Sequence, residues 1–178
     1  MKSDHSHIMS TIAFVKLGGI SFLTLFFLTS LQAAPESGTV TVAVGEVSAV
    51  GEEGADPTPV EKGDKVAVGT TIKTGDDSRA VVVITPRSAI RISANSEVVI
   101  ETVDEEASPK DVLIDLKQGS LGALLKPNAA GELDFKVRTP SGVAAARGTF
   151  YSVAVKDGKG YAQVKEGRVE IIPNEEEN

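Results

Sequence analysis

The dominant period of this chain is two. In "GTVTVAVG", Val40, Val42 and Val44 alternate with small or polar residues, the spacing that sends successive side chains to opposite faces of a strand. "RAVVVIT", Arg79 to Thr85, is a continuous apolar run and suits a strand covered on both faces. "AIRIS", "EVVIETV", "DVLIDL", "SLGALL", "LDFKVRT", "TFYSVAV", "YAQV" and "RVEII" continue the theme, short and rich in Val and Ile, as strands are. Turn chemistry separates them in "KTGDDS", "TPRS", "SANS", "KQGS", "TPSG", "KDGKG" and "KEGR": glycine accepts a positive φ, proline fixes its own, and Asn, Asp and Ser bond back to nearby backbone. Beyond the N-terminal region no stretch carries an apolar stripe at helical spacing, and Val143 to Ala146 is the one helix-tolerant piece. About a dozen such strands predict a single all-β domain, a β-sandwich or jelly-roll, with a short β-solenoid as the alternative.

A weak internal echo runs through the pattern. "LKQGSL" (Leu116 to Leu121) matches "VKEGRV" (Val164 to Val169), and "VEKGDKV" (Val60 to Val66) is a looser relative. Each is strand, charged pair, glycine, strand, and reads as a reused tight hairpin or corner rather than as a repeat array.

The N-terminal region is of another kind. Leu17 to Ala34 carries no charge and follows Lys16. A basic start, an apolar stretch and a small-residue end predict a signal peptide, residues 1–33, cut after Ala33, with Met9 as an alternative start. An uncleaved inner-membrane anchor over residues 17–34 is the alternative, since a spanning helix needs roughly 20 apolar residues. No cysteine follows, so lipid attachment at an N-terminal cysteine is excluded. The expected location is the periplasm or outside the cell. The β domain is then residues 34–178, with its core at about 39–172 and an acidic tail at 173–178.

Removing residues 1–33 takes away both His, both Met and Phe14, Phe22, Phe26 and Phe27. The remainder has 16 basic residues (18 less Lys2 and Lys16) against 24 acidic (25 less Asp4), a net charge of −8. Without His or Cys the usual zinc, copper, haem and iron–sulfur ligand sets are missing. So are Ser-His-Asp and Cys-His nucleophile systems. Neither a cofactor nor a metal is expected, and no residue is assigned a catalytic role. The acidic balance argues against nucleic acid, whose phosphates want a basic face. "GEEGADPTPVEKGD" and "DEEASPKD" read as solvated loops, and "DDS" and "DEE" lack the alternating register of a calcium loop.

"RTPSGVAAARGTFYSV" is the stretch that invites a chemical reading, because Arg147 stands alone in small, apolar surroundings. The spacing of Gly142 and Gly148 does not match a phosphate loop, and no lysine follows Gly148. Ser141 and Thr149 have no histidine to activate them. Thr149 takes the place of the acid in an Arg-Gly-Asp motif. What remains is architecture: a turn at Thr139 to Gly142, alanines that let other groups approach closely, and an arginine with five donors to tie backbone carbonyls or a carboxylate together.

The stretch "TPSGVAAARGTFYSVAV" resembles the signature of the FecR-domain family: Thr-Pro-x-Gly, a short apolar run, Arg-Gly-Thr, an aromatic, then a Val-rich strand. "VEKGDKVAVGTTIKTGDDSRAVVVI", "SANSEVVIE", "LKQGSL" and "VKEGRVEI" follow that family's order, so the resemblance covers about Thr39 to Ile172. Thr139, Pro140, Gly142, Arg147, Gly148 and Thr149 carry it most specifically and read as structural. The resemblance implies an extracytoplasmic all-β module. Its best-known members relay a signal from an outer-membrane TonB-dependent receptor to a cytoplasmic sigma factor. They carry a cytoplasmic domain before the membrane segment, whereas here only the residues to Lys16 precede the apolar run. "TPRSA", Thr85 to Ala89, also replaces an expected Asp-Gly-Ser turn. The module is therefore carried over and the sigma-regulating function is not. The expected function is a non-enzymatic protein-binding or signalling module whose partner is an envelope or extracellular protein, with membrane contact only through an uncleaved N-terminal segment. The alternative is a structural or self-associating surface element. A carbohydrate-active enzyme built on Asp/Glu pairs is disfavoured by the lack of a pocket-forming aromatic set.

Overall fold

The computed structural model describes residues 36–51, 54–126 and 133–173, and for residues 36–37, 146–149 and 166–168 it describes the backbone alone. The expected signal segment and residues 174–178 of the acidic tail lie outside the described residues. The strands are β1 (Glu36–Val44), β2 (Val47–Val50), β3 (Thr58–Pro59), β4 (Lys65–Ala67), β5 (Thr71–Thr74) and β6 (Arg79–Thr85). They continue as β7 (Ser88–Ile92), β8 (Ser96–Asp104), β9 (Lys110–Leu125), β10 (Leu133–Thr139), β11 (Gly142–Lys156) and β12 (Lys159–Pro173). Among the described residues there is no helix, and all of these strands join one sheet. The all-β expectation holds.

The sheet is curled, and it is easiest to follow as two half-sheets. The first runs β3-β2-β5-β8, then the start of β9, β10, the start of β11 and the end of β12. The second runs β4-β1-β6-β7, then the ends of β9 and β11 and the start of β12. Neighbours are antiparallel except β9 and β10, which run parallel from Lys110↔Leu133 to Asp115↔Arg138. One core cluster draws from both halves, including Ile72, Val98, Ile114 and Phe135 from the first and Val82, Ile90, Ala123 and Tyr151 from the second. Among the described residues no stacked parallel coils, the mark of a solenoid, form.

The halves meet at a row of corners. Gly45-Glu46 links β1 to β2, residues 75–78 link β5 to β6, residues 93–95 link β7 to β8, and β9 bends through Lys117 to Gly119. These corners bond to one another. Gly75 N donates to Glu46 O at 2.9 Å and Asn95 N to Gly75 O at 3.1 Å. Glu46 N donates to Ser78 Oγ at 2.8 Å, Thr74 Oγ1 to Ser93 O at 2.6 Å, and Ser120 N to Ser96 Oγ at 3.0 Å. Positive φ at Gly45 (79°), Asp77 (50°), Asn95 (51°) and Gly119 (83°) marks the bends, in residues that tolerate the left-handed region. The polar and glycine clusters that punctuate the sequence are therefore the crease of the sheet.

Several expected boundaries move as a result. "DVLIDL" and "SLGALL" are one strand, β9, and "YAQV" and "RVEII" are one strand, β12. Val143 to Ala146, helix-tolerant in sequence, opens β11. "LKQGSL" and "VKEGRV" lie within long strands, but "VEKGDKV" contains an ordinary turn between β3 and β4, where Glu61 N bonds to Asp64 Oδ2 at 2.8 Å. "RAVVVIT" is not covered equally on both faces: Ala80, Val82 and Ile84 are buried, Val81 and Val83 only half-buried.

Tyr151 is the largest side chain in the core, with 1% of its surface exposed. Among the described residues its buried hydroxyl has no hydrogen-bond partner, which costs about 1–3 kcal/mol. Burial, helped by the charge of Asp134, pushes the phenol well above the ordinary value of 10.0. Because the folded phenol holds its proton beyond the point where the unfolded one ionises, the folded state is favoured below pH about 10 and loses that advantage as pH rises further. Tyr151→Phe is expected to raise stability at pH 7 by about 1 kcal/mol and to blunt the alkaline loss. Thermal melts from pH 7 to 11 test both; a variant less stable than the parent at every pH refutes it.

Candidate functional site: an apolar groove on the second half-sheet

Period two cannot bury two adjacent apolar residues on one face. In "LL" and "FY", Leu125 and Tyr151 point into the core, which sends Leu124 and Phe150 outward. The register sets these two opposite each other. It continues the row through Ala89, paired with Leu124, and Val83, paired with Ala89. Four strands thus contribute one outward apolar row, Val83–Ala89–Leu124–Phe150. Phe150 lies over Gly122, where a Cβ would meet its ring at 3.5 Å, an ordinary contact distance. Leu124 is 48% exposed.

The wall of the groove is the β6–β7 hairpin, the "TPRSA" departure in the sequence. Thr85 and Ser88 are buried and share a hydroxyl–hydroxyl bond of 2.8 Å, while Arg87 N donates to Thr85 Oγ1 at 3.2 Å. Hydroxyls thus do the work of the expected Asp-Gly-Ser. Lys126 N donates to Arg87 O at 2.9 Å, tying the hairpin to the end of β9. Together these residues enclose an open groove of ≈ 680 Å³ whose described lining includes Arg87, Lys126 and Lys165. That volume falls in the range of small-ligand sites, about 300–1,000 Å³. The sequence reading did not single out this row. Its signal was present in the adjacent apolar pairs, but which pairs face each other depends on a register that joins residues far apart in the chain.

The signature residues do not form one site. Thr139, Pro140 and Gly142 make the tight β10–β11 turn, with Thr139 paired to Gly142. The buried Thr139 Oγ1 donates to Gly142 O at 2.9 Å, and Gly160 N donates to Ser141 Oγ at 2.6 Å. The chamber beside this turn measures ≈ 20 Å³, room for about one water. Arg147, Gly148 and Thr149 lie about 17 Å further along extended strand. There β11 crosses from the first half-sheet to the second, opposite the bend of β12. The register runs from Arg147↔Arg168 to Phe150↔Glu166, so Gly148 and Thr149 oppose Gly167 alone, a β-bulge. The side chains of Arg147 and Thr149 lie outside the described residues.

The outer face of the first half-sheet is charged instead. Arg138 pairs with Glu101 and reaches Asp115 at 3.8 Å, and Lys117 holds Asp115 at 2.7 Å. Lys136 bonds Asp111 and Asp134, each at 3.1 Å, and these hydrogen bonds, Asp111 first, raise its pKa against a smaller opposing effect of burial. This is a paired ladder of opposite charges. Among the described residues no group of three or more His, Cys, Asp or Glu is arranged to hold a metal ion, and no helix is long and apolar enough to cross a membrane.

The family model described as FecR protein matches residues 70–170. That span takes in the corners from "TGDDS" onward, the whole of the groove's apolar row and both parts of the signature. No curated protein and no solved structure matches the chain.

Proposed function

Because the chain belongs to the FecR protein family, whose domain implies a signalling or regulatory role at the cell envelope, we propose that it acts there without enzymatic activity, as an exported protein-binding module. The observation that carries this reading is the groove. An apolar row across four strands, with a half-exposed leucine in it, lies outside the core cluster, and exposed contiguous apolar surface marks contact sites. The partner is a protein of the envelope or the extracellular space. The chain reaches it through its N-terminal export segment.

The test is capture from an envelope extract. The parent protein is expected to retain a specific envelope protein, and Leu124→Glu, a surface change expected to alter stability by no more than about 0.5 kcal/mol, is expected to lose it. Equal recovery by both proteins, or no recovery by either, refutes the reading.

A second reading, self-association, rests on the edge strand. β12 pairs only with β11 among the described strands, and Tyr161, Val164, Ile171 and Ile172 are exposed along it. An exposed edge strand is a template for a further strand. A protein that sediments as a monomer at rising concentration rules this reading out.

A further inference from the structure

We infer that β12 pairs with β12 of a second copy of this chain, antiparallel and about a two-fold axis at its own bend. The inference rests on the self-association reading above and adds the geometry of the contact. β12 runs 15 residues, and among the described strands only β11 pairs with it. The opposite ends of the half-sheets are β3, of 2 residues, and β4, of 3 residues. β12 is the long open edge among them.

Its exposed apolar side chains lie on both faces. Directly opposed residues of an antiparallel pair share a face. Val164 opposes the buried Tyr151 and Ile171 the buried Ala144, so both lie on the inner face, yet both are exposed. Tyr161 and Ile172 oppose the half-buried Ala154 and Val143 and are exposed on the outer face. A further strand alongside would cover both sets at once.

The bend decides whose strand that is. The register passes from Tyr151↔Val164 to Phe150↔Glu166, which leaves Lys165 as a bulge on β12. There β12 passes from the second half-sheet to the first, and a straight strand can follow only one of the two. A second β12 running the opposite way bends at the same place. The bulge also shifts which residues face inward, Ala162 and Val164 before it and Val169 and Ile171 after it. The two halves therefore match in the register Tyr161↔Ile172, Ala162↔Ile171 and Val164↔Val169, apolar on apolar, with Gln163 against Glu170 between. A slip of two residues sets Tyr161 against Glu170 or carries it past the strand end at Pro173.

About 12 paired residues make a contact about 40 Å long and, for a sheet about 10 Å thick, about 400 Å² from each copy. That is the low end for a specific interface, so the dimer is weak and concentration-dependent. It uses the long edge of both copies and closes at two.

The test is analytical ultracentrifugation of the protein recovered from the envelope of expressing cells, beside Ile172→Glu. The parent is expected to pass from monomer to dimer in the micromolar range. Added salt is expected to tighten the dimer, because it screens the repulsion between two chains of net charge −7 while the apolar pairing persists. Ile172→Glu is expected to weaken the dimer at least roughly tenfold and to melt like the parent at concentrations where both are monomers. Cysteine cross-linking then reads the register, in a sequence without cysteine. Tyr161→Cys protein mixed with Ile172→Cys protein is expected to give a disulfide-linked dimer under an added thiol oxidant. Neither variant alone is expected to do so, since like positions sit at opposite ends of the contact. A dimer that weakens with salt, that Ile172→Glu leaves intact, or that the mixed cysteines do not link overturns the inference and leaves self-association standing. So does an assembly that grows past two. A monomer at every concentration overturns both.

Discussion

Gly119→Ala is expected to lower the melting temperature by about 10 °C. Gly119 sits where β9 bends through the crease, at φ +83°. A Cβ there would stand 2.6 Å from the Asn95 carbonyl oxygen and from Ser96 Cα, and would overlap Ser96 Oγ. Those atoms belong to the neighbouring corner, and the Ser96 hydroxyl is the group that accepts from Ser120 N. The left-handed conformation costs a non-glycine residue about 1 kcal/mol, and crowding against backbone that cannot yield costs about 2 more. A loss of about 3 kcal/mol corresponds to about 10 °C at this chain length. Gly158→Ala supplies the comparison. Gly158 also has a positive φ, 72°, but an added Cβ meets nothing within 4 Å, so the expected loss is the conformational part alone, about 1 kcal/mol. Melting curves of the two variants decide it. Equal losses mean that the crease has slack and that the stacking of its corners contributes little.

That contrast also explains what sequence patterning reveals in this fold. The alternation of Val and Ile in "GTVTVAVG" or "LDFKVRT" is a local signal, and β1 and β10 lie where it puts them. The glycine of "KQGS" and that of "KDGKG" look alike in sequence, yet Gly119 lies inside a continuous strand and Gly158 in a hairpin. What distinguishes them is whether the following strand pairs back on the preceding one or crosses the crease, and that is decided by partners such as Ser96 and Asn95. Strand β4, Lys65–Ala67, is too short for period two to register. The family signature was legible as a string of residues, but not as two separate devices at the two ends of one stretch of β11. The groove was the least legible feature. Leu124 and Phe150 are separated by a long stretch of sequence, and only the pairing of β9 with β11 makes them neighbours.

Arg147→Ala is expected to cost about 3 kcal/mol, as the loss of a charge that ties backbone together does. We propose that Arg147 is a clamp on the crossing of β11. Two register shifts follow in succession between Arg147 and Tyr151, and each leaves strand groups without their ladder partners. A guanidinium offers five donors to the carbonyls so freed. The register also sets Arg147 opposite Arg168, and like charges directly opposed are destabilising unless one of them is satisfied elsewhere. Arg147→Lys is expected to recover little, because a lysine lacks the planar fork. Arg168→Ala, which removes the opposing charge and leaves the clamp, is expected to keep the parent's stability within about 0.5 kcal/mol. The three variants are compared by thermal melting and by capture of the envelope partner. If Arg147→Ala melts like the parent and loses the partner, the arginine is a contact residue, and the binding surface reaches from the groove around the bulge. If it melts early and the folded fraction still binds at low temperature, the arginine holds the fold and the groove alone carries recognition.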